Sequence, residues 1–245
     1  MGFHKHIPNT LTSLNLLSGS IAIVFTFEQR PHVAALLIIA AAIFDFLDGL
    51  SARLLRAYSA IGKQLDSLAD LISFGLAPSM IIYHYLLQSA PNPGWTAINP
   101  LPFIAFLIPV LSALRLAKFN IDENQTHEFI GLPTPANALF LVSFPLALTF
   151  GSSDNLFYQF YLWTTQSFWV LTGITLLLSF LMVTHIPLIS LKFRGYGIEN
   201  NRFKYVFLSG CVLLLILTGV FALPLILLYY ILVSIVRNGM ASPSE

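Results

Sequence analysis

The chain has 245 residues, of which 56% are hydrophobic and 9% charged, with a mean hydropathy of +0.78. That balance excludes a soluble globular domain and points to a single polytopic membrane domain over residues 1–245. The net charge of +1 argues against nucleic-acid binding through bulk electrostatics, and the single cysteine, Cys211, excludes an intramolecular disulfide or a cysteine metal cluster and reads as a small buried apolar residue.

The polar start, MGFHKHIPNT, leads into a long apolar run and reads as no removable signal. Eight candidate spans follow, near residues 10–27, 32–52, 64–88, 101–119, 134–150, 167–190, 204–221 and 224–236. Pro224 separates the last two, which read as a tight hairpin or as one interrupted segment. With eight spans, eleven cations fall on one side: Lys5, Arg53, Arg56, Lys63, Arg115, Lys118, Lys192, Arg194, Arg202, Lys204 and Arg237. Only Arg30 falls on the other. Positive residues stay inside, so both termini are expected at the cytoplasmic face, in a bacterial inner membrane. The links QSAPNPGWTAINP and GSSDNLFYQFYLWTTQ carry no Lys or Arg, and Trp95, Tyr158, Tyr161 and Trp163 are expected in an outer aromatic belt.

Four of the few acidic residues crowd into one stretch: Asp45, Asp48, Asp66 and Asp70. Asp45 and Asp48 are i,i+3 and Asp66 and Asp70 i,i+4, so each pair shares a helix face. At 1.5 Å per residue Asp45 lies about 21 Å from the outer edge of its span, and the third span returns Asp66 and Asp70 to a similar depth over about 27 Å. All four are expected in the cytoplasmic third of a roughly 30 Å apolar layer or at its rim. Solvated carboxylates, or salt bridges to Arg53, Arg56 and Lys63, would account for any two of them. Four together need a larger positive charge, and an oxygen-only donor set favours Mg²⁺ or Mn²⁺, as one ion or a pair. Gly49 and Ala52, on or beside the face of Asp45 and Asp48, leave room for a ligand, and Arg53 stands where an anionic group needs a bidentate donor.

The stretch matches D-x2-D-G-x2-A-R-x8-G-x3-D-x3-D at every fixed position, through Asp45, Asp48, Gly49, Ala52, Arg53, Gly62, Asp66 and Asp70. This pattern resembles the signature of the CDP-alcohol phosphatidyltransferases. The resemblance implies an all-α membrane bundle in which the four aspartates hold metal against a CDP-linked lipid. It implies that Asp70 is the general base, that Asn9, Thr12, Gly49, Ala52, Arg53 and Gly62 bind the nucleotide-linked lipid, with Asn9 and Thr12 touching its nucleotide, and that the protein is a homodimer. Helix capping is the plainer role for Asn9 and Thr12.

The stretches IPNTLTSLNLLSG, RLAKFN, FIGLPTPANA and LMVTHIPLISLKF resemble the membrane-embedded phosphatidylserine synthases, with Lys118 and Thr184 as mild departures. That implies CDP-diacylglycerol and L-serine as substrates and phosphatidylserine and CMP as products. Glycerol 3-phosphate, inositol phosphate or choline are the alternative acceptors. A cation transporter is the rival from another class, but it would place acidic residues nearer the midplane in interrupted helices. Arg115 or Lys118 suits the serine carboxylate, and Asn120 the ammonium or a phosphate oxygen. As plain structure these are snorkelling cations and a helix-end residue. Gly131-Leu132-Pro133-Thr134-Pro135 is expected to break the chain before span five. Lys192, Arg194 and Arg202 suit lipid head groups. His84 and His185 lie in apolar spans and are assigned no catalytic role.

Overall fold

The computed structural model describes residues 6–91, 99–121, 129–184, 186–188 and 198–240. The expectations placed on Lys5, Trp95, His185, Lys192 and Arg194 lie outside them. Two long helices open the chain, α1 (Ile7–Phe27) and α2 (Pro31–Leu54). Pro8 and Pro31 sit in their first turns, where a missing N–H costs nothing. The chain then turns through Arg56, whose φ is +50°. Ser59 caps α3 (Ala60–Asp70), its Oγ accepting from the Gly62 N–H at 2.9 Å.

The helix does not stop at Asp70. It widens into a π segment, Leu71–Leu76, and resumes as α4 (Ala77–Ser89). Within the wide turn the Ala77 N–H reaches back to the Ile72 carbonyl, five residues away. Pro78, in the first turn of α4, supplies no N–H to the ladder, and the wide turn sits where an α-turn would meet its ring. A short 3₁₀ stretch, Leu101–Phe106, leads into α5 (Leu107–Ile121). Then come α6 (Thr134–Phe150), α7 (Leu156–Gln166), α8 (Phe168–Val183), α9 (Ile198–Thr218) and α10 (Ala222–Met240).

The all-α expectation holds, with one small addition: Phe129–Ile130 and Pro187–Leu188 form a two-residue antiparallel ladder. Beside it the Gly131 N–H donates to the Ile186 carbonyl and the Leu132 N–H to the Leu181 carbonyl. Gly131 has φ +72°, and a β-carbon there would overlap the carbonyls of Met182 and Thr184. The expected break before span five is therefore a clamp onto the end of α8.

Among the described residues, five helical stretches can cross a membrane by length and composition, or six with the bent pair α7–α8. Thr134–Phe150, with 17 residues, is shorter than the usual span. The last stretch, Arg202–Arg237, folds back on itself. The Tyr229 hydroxyl donates to the Val206 carbonyl at 2.9 Å, and the Phe207 and Tyr229 rings stack at 5.7 Å. The turn at Gly219 (φ +55°) makes this possible, so the hairpin alternative is the one realised.

The loop expected at residues 151–166 is a correction. Asn155 caps an 11-residue helix there, and α7 meets α8 at 94°. Its aromatic residues carry helix periodicity that a reading for membrane-interface residues passes over. Tyr161 is consequently not in a belt. It is 3% exposed, its ring lies 5.2 Å from that of Phe144, and its hydroxyl donates to Ser143 Oγ at 3.2 Å.

The core gathers small residues of α1 and α2 (Ala22, Ala34, Ala35, Ala41) with Phe74, Ile81, Ile82 and Leu86 of the long third helix and Leu141, Val142 and Phe144 of α6. Small residues let helix backbones approach closely where lipid gives no hydrophobic drive between them. The tightest approach is Gly19 of α1 against the π segment. A β-carbon on Gly19 would fall 2.6 Å from the Ser73 Cα. Gly19→Val is therefore expected to lower stability in detergent by about 1–3 kcal/mol, the usual cost of overpacking. Gly173→Ala, with nothing within 4 Å of the added carbon, should leave the melting temperature unchanged. Equal melting temperatures for the two variants would contradict this packing.

Candidate active site

The site is assembled by three helices. α2 brings Asp45 and Asp48 on one face, and α3 brings Asp66 and Asp70 on one face, as the i,i+3 and i,i+4 spacings require. α1 lies against both. Asp45, Asp48 and Asp66 each offer a carboxylate oxygen, and these three oxygens lie within 4.8 Å of one another. Asp70 is not in that set. It adjoins Asp45, is 9% exposed, and accepts from Asn15 Nδ2 at 3.4 Å. Asp48, 6% exposed, accepts from the Thr12 hydroxyl at 2.6 Å.

The donor set fits a hard divalent cation. Its three oxygens are close enough to be shared by one such ion, whose ligands are carboxylate and other oxygens. The nearby cations are engaged elsewhere. Arg53 Nε donates to the Gly49 carbonyl at 3.2 Å, and Lys63 Nζ to the Asn120 carbonyl at 3.1 Å. The carboxylates thus face one another, with hydroxyl and amide donors on their outer sides.

Next to the cluster opens a cavity of about 910 Å³. Asn9, Thr12, Gly49, Ala52, Arg53 and Gly62, the six residues that the sequence suggested for the nucleotide, all line it, together with Asp48 and Asp66. A β-carbon on Gly49 would meet only an Arg53 nitrogen, at 3.8 Å, so glycine here leaves the cavity wall open. Gly62 works differently. A β-carbon there would lie 3.0 Å from Asn9 Oδ1 and 2.9 Å from Ser59 Oγ, so this glycine lets the start of α3 close against the start of α1. Lys63, Tyr58, Ser59 and Phe119 also line it. Sequence reading treated Tyr58 only as a turn residue and Lys63 as a loop cation that could pair with the aspartates.

The residues suggested for serine separate. Arg115 is largely buried on α5, where Nη1 donates to Thr134 Oγ1 at 3.3 Å and buried Nε has no hydrogen-bond partner. It faces Asp70 across the interior. Lys118 is exposed. Asn120 holds α5 to α3, its Nδ2 donating to Ser67 Oγ at 2.8 Å. Asn15, fully buried, was missed. Its signal was the i,i+3,i+6 run of Asn9, Thr12 and Asn15 along α1. His84 lies 2.9 Å from Gln88 on α4 and takes no part in the cluster. Arg202 packs its guanidinium 5.1 Å from the centre of the Phe203 ring.

Residues 5–181 match the family model described as CDP-alcohol phosphatidyltransferase. The chain is 36% identical over 190 residues to a protein of Mycobacterium leprae (strain TN) named CDP-diacylglycerol–serine O-phosphatidyltransferase, covering 74% of this chain and 57% of the relative. A protein of the same name from Helicobacter pylori (strain J99) is 32% identical over 204 residues, or 82% of this chain and 79% of that one. An archaetidylserine synthase of Methanothermobacter thermautotrophicus is 35% identical over 142 residues, 57% of this chain and 58% of the relative. The chain thus spans under three fifths of the mycobacterial relative's length.

The Thr12–Asp48 bond generates a prediction. A hydrogen bond to a charged group contributes about 1.5–3 kcal/mol, and here it fixes the orientation of a prospective ligand. Thr12→Val is expected to weaken Mn²⁺ binding about tenfold or more, followed by the loss of the free-ion paramagnetic signal. Ser13→Ala, whose exposed hydroxyl bonds only the Asn9 carbonyl, should bind as the parent does. Unchanged binding in Thr12→Val would remove the hydroxyl from the site.

Proposed function

The chain belongs to the CDP-alcohol phosphatidyltransferase family, and on that premise we propose that it transfers the phosphatidyl group of CDP-diacylglycerol to L-serine, giving phosphatidylserine and CMP. The observation that carries this reading is the cavity, because all six residues suggested for the nucleotide line one space beside three converging carboxylates. The choice of serine rests on the names of the relatives and on a buried guanidinium whose Nε has no hydrogen-bond partner, within electrostatic reach of the fourth aspartate.

The chain's own groups divide the work as follows. Arg53 and Lys63 on the cavity wall suit the diphosphate, Arg53 as a planar donor and Lys63 as a point charge. Gly49 and Ala52 leave room for the phosphates against α2. Tyr58 and Phe119 give the cavity aromatic surface beside the place for the nucleotide. Asp45, Asp48 and Asp66 are the ligands for Mg²⁺ or Mn²⁺, with Asp70 adjoining them through Asp45. When bound, such ions, one or a pair, polarise phosphorus and neutralise the departing charge.

On the other side of Asp45, Arg115 takes the serine carboxylate and Asp70 takes the proton of the serine hydroxyl. The hydroxyl oxygen attacks the lipid-side phosphorus, the bond from that phosphorus to the bridging oxygen of CMP breaks, and CMP leaves with its electrons. A carboxylate can accept this proton because the alcohol acidifies as the new P–O bond forms. We place the aspartate rim at the cytoplasmic face of a bacterial inner membrane, supported by the distribution of Lys and Arg, and assign a homodimer from the family resemblance.

Purified protein with CDP-diacylglycerol, Mn²⁺ and a panel of alcohols is expected to release CMP with serine and far less with glycerol 3-phosphate, inositol phosphate or choline. Excess EDTA should abolish release, and restored Mg²⁺ or Mn²⁺ should return it. Preference for another alcohol would reassign the acceptor, and full activity in EDTA would end the metal reading.

Arg115→Gln is expected to raise the KM for serine about tenfold or more, the scale of a charge-assisted bond, with the KM for CDP-diacylglycerol nearly unchanged. Lys118→Gln should alter neither. The reverse pattern would move carboxylate recognition to Lys118.

A further inference from the structure

α1 presents two polar side chains to the aspartates, three residues apart on one face. Thr12 donates to Asp48, and Asn15 donates to Asp70. Asn15 has no exposed surface. Its Nδ2 stands 3.4 Å from Asp70 Oδ1, and its Oδ1 is buried without a hydrogen-bond partner. At 3.4 Å the bond is long, as catalytic hydrogen bonds often are before substrate is in place.

An amide with an orphan carbonyl is a costly choice for a helix interior. An apolar side chain would leave no orphan carbonyl, but Asp70 Oδ1 would lose its donor. What the amide adds is its donor. The backbone around it is held with care. Ser73 Oγ donates to the Asn15 carbonyl at 2.9 Å, and Ser73 lies in the π segment that begins at the residue after Asp70. One turn further along α1, Gly19 permits the contact with Ser73 that brings the two helices this close. Asn15 and Asp70 are thus tied together through both side chain and backbone.

We infer that Asn15 is the positioning residue of Asp70, occupying its Oδ1 so that the other carboxylate oxygen is the one presented to the acceptor hydroxyl. This rests on the reading of Asp70 as proton acceptor. A carboxylate free to rotate offers either oxygen in many orientations, whereas one pinned by a buried donor offers one oxygen in one direction.

The test is a double-mutant cycle on the full chain. Asn15→Leu should lower kcat about 10–100-fold, part of the worth of a positioned base. The KM for CDP-diacylglycerol and the Kd for CDP in the presence of Mn²⁺ should stay within about threefold, because the nucleotide cavity is untouched. In an Asp70→Asn background, the same change should lower kcat by less than about twofold, since coupled residues are non-additive. Asn15→Gln, which keeps the donor, should recover part of kcat. Should Asn15→Leu fail to fold, Asn15→Ser enters the same cycle with the same expectation. The inference is overturned if the Asn15 variant keeps full kcat while Asp70→Asn is crippled, or if its loss is equally large in the Asp70→Asn background. An active Asp70→Asn instead removes the underlying base assignment, and the inference with it.

Discussion

Three carboxylate oxygens within 4.8 Å, with a fourth carboxylate pressed against Asp45, must repel one another inside a bundle with little charge to spare. Each aspartate costs about 2.5–3.5 kcal/mol near the middle of a bilayer, and less at its rim. Two nearby cations are turned to backbone carbonyls, Arg53 to that of Gly49 and Lys63 to that of Asn120. The protein gives two of the aspartates neutral donors, Thr12 and Asn15, which orient a carboxylate without discharging it. Three carboxylate oxygens this close form a donor set that a hard divalent cation would fit.

The same constraint explains why α1 is built as it is. Its buried face runs Pro8, Thr12, Asn15, Ser18, Gly19, Ala22 and Thr26, all small or polar. Large apolar groups such as Leu17, Val24 and Phe27 are left exposed. In water this would be an inverted helix. In a membrane it is a strut, with lipid on the apolar side and a tightly approached neighbour on the small side. Without Gly19 against Ser73, the hydroxyl of Thr12 and the amide of Asn15 would stand away from α2 and α3.

The four aspartates and their shared faces were legible because a helix of 3.6 residues per turn admits few meanings for i,i+3 and i,i+4 carboxylates in apolar surroundings. The cavity residues were legible through a fixed pattern whose glycines have distinct jobs in the structure, Gly49 leaving space and Gly62 allowing contact. Other features depended on partners that no local pattern specifies. Tyr161 looks like an interface residue until α7 bends by 94° and packs it on Phe144. Asn15 looks like a tolerated polar residue until Asp70, 55 positions later, is set beside it. The last two spans read equally as a hairpin or a broken helix until Tyr229 meets Val206.

Asp45 is the residue that gives the site two sides. Towards the cavity it completes a set with Asp48 and Asp66, next to the open wall at Gly49 and the cations of the turn. Towards the interior it meets Asp70, which is bonded to Asn15 and faces Arg115, itself tied to Thr134 at the start of α6. The cavity side is broad and accessible, as a nucleotide requires. On the interior side Asp70 and Asn15 are buried. In-line displacement at phosphorus needs the entering and leaving oxygens on opposite sides of the reacting atom. On the proposed reading the nucleotide is held by α1, α2 and α3 and the acceptor by α5, with the aspartates between them, as that demand requires.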